Sequence, residues 1–337
     1  MKAYEIASYD GLDSVLPVDL PKPIILPGQV LVHMRAASMN YRDLMVAHGT
    51  YPLDKTKPVI PLSDGVGEVI EVGDGVVDFK RGDRVMGTFF HHWEDGELTS
   101  EEQILSRGGG IDGVLAEYVA FHDFELVHVP DYLTNEEAST LPCAAVTAWQ
   151  GLVNIGQIKA GDTVLTLGTG GVSLFALQIA KMHGARVIIT SSSDEKLKLA
   201  KNLGADDGIN YVTCPNWESA VLDLTNGRGV DHVVELGGAG TLQKSLQAIR
   251  LGGKIAVIGG LSSVKDHTPV ARQILFRLAK VTGILVASRQ TLREMNKAFE
   301  CNKLKPVIDK VFSFDHALDA YRHMKSGEHF GKIVIRY

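Results

Sequence analysis

The sequence predicts an α/β protein in which a doubly wound, parallel six-stranded sheet is joined to an antiparallel, barrel-like domain. Three observations carry that expectation. From about Asp162 to Leu285 strand-like and helix-like segments alternate regularly, the pattern of a parallel sheet covered on both faces. From Lys2 to about Asp123 short alternating apolar runs are separated by Gly-Asp and Pro turns. The chain has 337 residues, 45% of them apolar, which exceeds one typical core and fits two. The expected domains are residues 1–125, completed by 286–337, and residues 126–285.

In the first domain "QVLVHMRAAS", "GVGEVIEVG", "DRVMGTFF" and "AEYVAF" read as strands. In the second, "TVLTLG", "RVIIT", "GINY", "VDHVVELGG", "KIAVIGG" and "KVTGILV" read as the six strands. The segments "VSLFALQIAKMHG", "DEKLKLAKNLG", "WESAVLDLTNG" and "TLQKSLQAIRLGG" read as helices between them. The last fifty residues, ending in "GKIVIRY", contain no new repeat and are expected to complete the first domain.

Composition excludes several classes of function. The net charge is -6 with the charges interspersed, so neither a nucleic acid nor a membrane surface is an expected partner. Three cysteines, Cys143, Cys214 and Cys301, lie far apart without a CxxC pair, which argues against a disulfide framework and a four-cysteine zinc site. The N-terminus lacks a signal-peptide core, and no apolar run of about 20 residues occurs. A cytosolic protein is expected.

"TVLTLGTGGVSLFALQIAKMHG" places Gly168, Gly170 and Gly171, followed by Val172, between an apolar strand and an apolar helix that ends at Gly184, and these four are candidate cofactor contacts. Small residues there let backbone approach a pyrophosphate, and the helix N-terminus supplies free N–H groups and partial positive charge. The pattern departs from GxGxxG at its sixth position, Ser173. Where a site selective for NAD ends its next strand in Asp or Glu, this chain has Ser191. A carboxylate would repel a 2'-phosphate, whereas Ser191, Ser192 and Lys196 can donate to one, so NADP(H) is the expected cofactor. The alternative is that Ser192 caps the following helix, with Glu195 completing a capping box.

With these residues the chain resembles the medium-chain dehydrogenase/reductase superfamily. "NYRDLMVAHGTYP", "PLSDGVGEVIEVGDGVVDFKRGDRV", "GVLAEYVAF", "LPCAAVTAW", "GTGGVSLFALQIAK", "GINY", "GRGVDHVVELGG" and "HFGKIVI" stand in that family's order and spacing. The resemblance implies a GroES-like β-barrel catalytic domain, a Rossmann domain, and an active site in the cleft between them. It further implies nicotinamide contact at Thr147, adenosine contact at Tyr211 and ribose contact near Gly259. Each has a plainer reading, as a satisfied helix hydroxyl, a core aromatic and a turn glycine.

The resemblance also bears on zinc. Zinc alcohol dehydrogenases of this family take a Cys from the first segment, a His beside a Glu from the second, and a Cys before the Rossmann turn. Here those positions are Asn40, Ser63-Asp64 and Cys143, and the cysteine-rich structural lobe is replaced by "FFHHWEDGELTSEEQILSRGGGIDG". One soft ligand without partners cannot hold Zn(II). His91 and His92, read as neighbours on a strand, would point to opposite faces. No metal is expected.

Hydride transfer from NADPH to an electrophilic small molecule, such as a quinone, an enone or an activated aldehyde, is the expected chemistry. A zinc-dependent alcohol dehydrogenase and a low-turnover NADPH-binding redox sensor are the rival readings. By similarity to zinc-free enoyl reductases, Tyr51 is the first candidate proton donor and Tyr41 the second. Asn40 is placed to orient the substrate oxygen or the nicotinamide. The plain alternatives are an ordinary Gly-x-Tyr-Pro turn and a proton from solvent. A homodimer is expected, because the apolar segment "KVTGILV" would leave an open sheet edge and is the strand relatives pair across a twofold axis.

Overall fold

The computed structural model describes residues 1–52, 56–260 and 270–337. The chain divides into two compact units, Met1–Val146 with Ala287–Tyr337, and Thr147–Val286. Residues 126–146 pack with the first unit, because the short strand that opens them joins its sheet.

The first unit contains β1 (Lys2–Ile6), β2 (Val15–Asp19), β3 (Gln29–Ser38), β4 (Asp64–Val72), β5 (Arg84–Gly87), β6 (Tyr118–His122) and β7 (Leu126–His128). Its helices in this part are α1 (Tyr41–Ala47), α2 (Ser100–Ile104) and α3 (Asn135–Ser139). The second unit opens with α4 (Val146–Trp149) and alternates β8 (Thr163–Leu167), α5 (Gly171–Met182), β9 (Arg186–Ser191), α6 (Asp194–Asn202), β10 (Asp207–Asn210), α7 (Trp217–Leu224) and β11 (Val230–Glu235). It continues through α8 (Leu242–Ala248), β12 (Ile249–Val257), α9 (Val270–Arg277) and β13 (Lys280–Gly283). The chain then returns to the first unit with α10 (Arg289–Asn302), β14 (Ile308–Ser313), α11 (Ala317–Ser326) and β15 (Lys332–Arg336).

The second unit's sheet has six parallel strands in the order β10-β9-β8-β11-β12-β13. Strands β8 and β11 are buried along their whole length, which is why they read as continuous runs rather than alternating ones. Leu165, Ile188, Val233 and Ile255 from the strands meet Trp217, Val221 and Leu246 from the helices in one core. Two boundaries differ from the sequence reading. Strand β12 begins at Ile249, inside "TLQKSLQAIRLGG", because that stretch pairs with β11 from Val230 onward. Strand β13 stops at Gly283, short of the end of "KVTGILV".

The first unit's main sheet runs β14-β15-β3-β4-β5-β7, with β6 also on β3. All its pairs are antiparallel except β14 with β15. Alternation in β3 buries Val30, Val32 and Met34 in a core shared with Phe121, Tyr321 and Ile333. The last two strands therefore complete the first unit, as expected. Among the described residues no helix is long and apolar enough to cross a membrane.

Candidate functional site

The strand order places the reversal of the parallel sheet between β8 and β11, and the carboxyl ends of strands at such a point are where open α/β sheets bind ligands. Gly168 follows β8 with φ of 78°, a conformation that side chains rarely adopt. Gly170 is the N-cap of α5, and a Cβ there would meet nothing within 4 Å, so the approach to this turn is open. Gly171 and Val172 begin the helix, whose 12 residues aim their first amides at the turn. Ser173, the departure from the glycine pattern, is buried and donates its hydroxyl to Leu167 O at 2.6 Å. That bond ties helix to strand where a third glycine would otherwise permit close packing.

The serines are sorted differently from the sequence reading. The cap of α6 is Ser193, not Ser192: its hydroxyl accepts from Lys196 N at 3.3 Å and donates to Glu195 at 2.8 Å. The reason is that β9 extends through Ser191 and needs two further residues before the helix can turn. Ser191 is only 2% exposed, and its Oγ accepts from Ser193 N at 3.3 Å, so its hydroxyl is not the free group expected. Ser192 is the exposed one. Lys196 lies in the first turn of α6. On the neighbouring strand Asn210 is in register with Ser191, and Tyr211 donates its N–H to Ser191 O at 3.0 Å. Tyr211 is 43% exposed, which removes the core-aromatic reading.

Thr190 connects the two halves of this edge, since its hydroxyl accepts from Gly168 N at 3.2 Å. Gly259 follows β12 and packs against the end of β11, where a Cβ would lie 2.2 Å from Leu236 O. At the same edge Glu235, fully buried, accepts from the amides of Gly237 (2.9 Å) and Gly238 (3.0 Å) and from Ser245 Oγ. Thr147 is buried in α4. The second unit thus gathers Gly168, Gly170, Gly171, Val172, Ser191, Ser192, Lys196, Tyr211 and Gly259 at one edge of its sheet.

In the first unit the positions of the family's metal ligands form a closed polar cluster. Asn40 caps α1, and its Oδ1 accepts from Lys332 Nζ at 2.7 Å while its Nδ2 donates to Ser63 Oγ at 3.4 Å. Ser63 donates to Asp64 Oδ1 at 2.6 Å, and the other oxygen of Asp64 accepts from Cys143 N at 3.2 Å. Lys332, 3% exposed on β15, also donates to Met39 O at 2.5 Å, and its ammonium stands 3.9 Å from Asp64. Burial raises the pKa of Asp64 against the pull of Lys332 and its hydrogen bonds, and pushes that of nearby Asp43 up to about 6. Burial, with the Asp64 carboxylate beside it, drives the Cys143 thiol well above its ordinary value, so it is not an activated nucleophile.

Tyr51 packs on the first unit's core with its ring 4.8 Å from the Arg42 guanidinium. Arg42 is itself fixed by Arg107 O at 2.6 Å, Ser106 Oγ at 2.9 Å and the ring of Phe89. Tyr41, first residue of α1, is half exposed. His91 and His92 occupy a turn rather than a strand, so the opposite-face argument does not apply to them. What separates them is chemistry: His91 Nδ1 lies 3.0 Å from Glu125, which Arg107 also engages, and the two rings are 6.3 Å apart. Among the described residues no group of three His, Cys, Asp or Glu could hold a metal ion.

Sequence reasoning missed Lys332, Glu235 and Arg42. Lys332 had a signal, a lone cation opening the otherwise apolar "KIVI", but its partners lie 292 residues away along the chain.

Residues 26–131 match the family model of an alcohol dehydrogenase GroES-like domain, and residues 171–300 that of a zinc-binding dehydrogenase. A zinc-type alcohol dehydrogenase-like protein of Schizosaccharomyces pombe is 45% identical over 332 residues, 97% of this chain and 96% of its own length. The crystal structure of an NAD-dependent alcohol dehydrogenase superposes with a TM-score of 0.91 at 34% identity, covering all of both chains. A 2-octenoyl-CoA carboxylase reductase solved with NADP and 2-octenoyl-CoA superposes with a TM-score of 0.89 at 26% identity, over 99% of this chain and 87% of that one.

Proposed function

The chain belongs to the medium-chain dehydrogenase/reductase superfamily of oxidoreductases, and on that premise we propose that it is an NADPH-dependent, zinc-independent reductase of quinones, enones or activated aldehydes. The two solved relatives differ in the cofactor they are described with, NAD in one and NADP in the other, so the choice falls to this chain's own residues. The end of β9 carries no carboxylate, and exposed Ser192 with Lys196 in the first turn of α6 suits a 2'-phosphate. The amides at Gly170 through Val172 suit the pyrophosphate. When bound, NADPH supplies a hydride.

The observation that carries the reading is Lys332. The donor set a catalytic zinc would need is here an amide, a hydroxyl, a carboxylate bonded to Ser63 and Cys143 N–H, and a thiol whose pKa is raised. A lysine ammonium already sits among them. These residues do not fit Zn(II). An acceptor that is electrophilic without a Lewis acid follows, and the 2-octenoyl thioester of one relative is of that kind. Tyr51, held under Arg42, is the proposed proton donor, with Tyr41 second and Asn40 orienting. The description of the relative as zinc-type favours the rival, metal-dependent alcohol oxidation.

NADPH consumption against a panel of quinones, enones and aldehydes, with elemental analysis of the same protein, separates these readings. Turnover on the panel without bound zinc is expected. Stoichiometric zinc with alcohol oxidation would establish the rival, and cofactor binding with no turnover a redox sensor. The protein is further proposed to be a homodimer joined at β13, one of the two edge strands of the parallel sheet. Sedimentation at micromolar concentration is expected to give the dimer mass, and a monomer would contradict it.

A further inference from the structure

A recess lies within the Rossmann unit, away from the carboxyl ends of its strands. Side chains of His232, Lys254 and Lys280 stand in register across β11, β12 and β13, so they share one face of the sheet. The wide helical turn of residues 150–154 covers that face, and it comes close because Gly151 has no side chain: a Cβ there would lie 3.1 Å from that of Ala256. Between turn and sheet remains a cavity of about 150 Å³, walled by Leu152, Ile155 and Ala256 and rimmed by Lys254, Lys280 and Thr282.

The charges at this recess are not balanced. Lys254 Nζ donates to Gly156 O at 2.6 Å and to Gln157 Oε1 at 3.3 Å, both neutral, which leaves one of its three protons over. Burial and the neighbouring ammonium groups of Lys280 and Lys159 press its pKa down. Among the described residues no ion pair engages Lys159, Lys254 or Lys280. Asp162, the acid that acts against this on Lys254, is held by His232 Nε2 at 3.0 Å and by Lys159 N at 2.9 Å. Three cations against one carboxylate, in a chain whose net charge is -6, make a local positive site.

We propose that this cavity binds a small carboxylate with a short apolar body, its anionic group between Lys254 and Lys280 and its carbon chain against Leu152, Ile155 and Ala256. The site is separate from the cofactor edge and does not depend on the proposed reductase activity. Titration calorimetry of the full chain with butyrate tests it, with inorganic phosphate as the second probe. Saturable butyrate binding with a dissociation constant of about 1 mM is expected. Lys280→Glu is expected to weaken it by about tenfold or more, and Thr282→Leu, which fills the cavity, to abolish it, with the sedimentation mass of both variants unchanged, since both residues lie on the strand proposed to join two copies. NADPH affinity is expected to stay unchanged in both variants. Absence of saturable butyrate binding, or unchanged affinity in Lys280→Glu, would overturn the proposal. Phosphate binding as tightly as butyrate would overturn the role given to the apolar walls.

Discussion

At Gly168 to Val172 the Rossmann unit offers backbone: a glycine at φ 78°, a second with open space where a side chain would be, and the first amides of a 12-residue helix. At Asn40, Ser63, Asp64 and Lys332 the GroES-like unit offers the reverse, side chains that bond one another. The first arrangement needs only small residues at fixed spacing, the feature that suits it to the proposed pyrophosphate contact. The second is specific: Asp64 is buried with hydrogen bonds from Ser63 and Cys143 N–H and an ammonium 3.9 Å away, the kind of pairing a buried carboxylate requires. One arrangement leaves open space at Gly170, while the other holds an ammonium against Asn40.

If that contrast is right, removing the ammonium is the most damaging single change. Lys332→Met strands Asp64 and Asn40 without their cation, and we expect a loss of about 3–5 kcal/mol in denaturant unfolding. An unchanged midpoint would mean that Asp64 is satisfied without Lys332. A smaller effect, confined to chemistry, is expected at Tyr51. Tyr51→Phe should keep the ring under Arg42 yet lower turnover on an enone by a factor of about 100 or more, with NADPH affinity nearly unchanged. Wild-type turnover would exclude Tyr51 as donor, and lost NADPH binding would make it structural.

The cofactor edge should respond more gently, because its contacts are shared among many backbone groups. NADPH is expected to bind about tenfold or more tightly than NADH, a difference of about 1.4 kcal/mol. Ser192→Asp, which puts a carboxylate at the exposed residue after β9, should narrow or reverse that preference in fluorescence titrations. Equal affinities for the two cofactors in the unaltered protein would break the assignment of this edge.

The same contrast explains what was legible in the sequence. Glycine spacing, strand alternation and the missing carboxylate are local signals, and they located the six parallel strands and the turn between β8 and α5. The capping residue of α6 was misassigned by one because Ser191, Ser192 and Ser193 offer the same chemistry, and only the length of β9 decides among them. The boundary near residue 126 was displaced because β7 is three residues long and is defined by its pairing with β5, not by its composition. Lys332, a lone cation before an apolar run, could not be interpreted for a different reason. Its meaning comes from Asn40 and Asp64, which the fold brings to it from the other end of the chain.

The central claim is that the buried ammonium stands where relatives of the zinc type would need a metal. Its most direct test is the rate of NADPH oxidation by an enone after prolonged incubation with a strong zinc chelator, compared with untreated protein. The same rate is expected in both samples, with no gain on adding zinc. A rate that falls with the chelator and returns with zinc would contradict it.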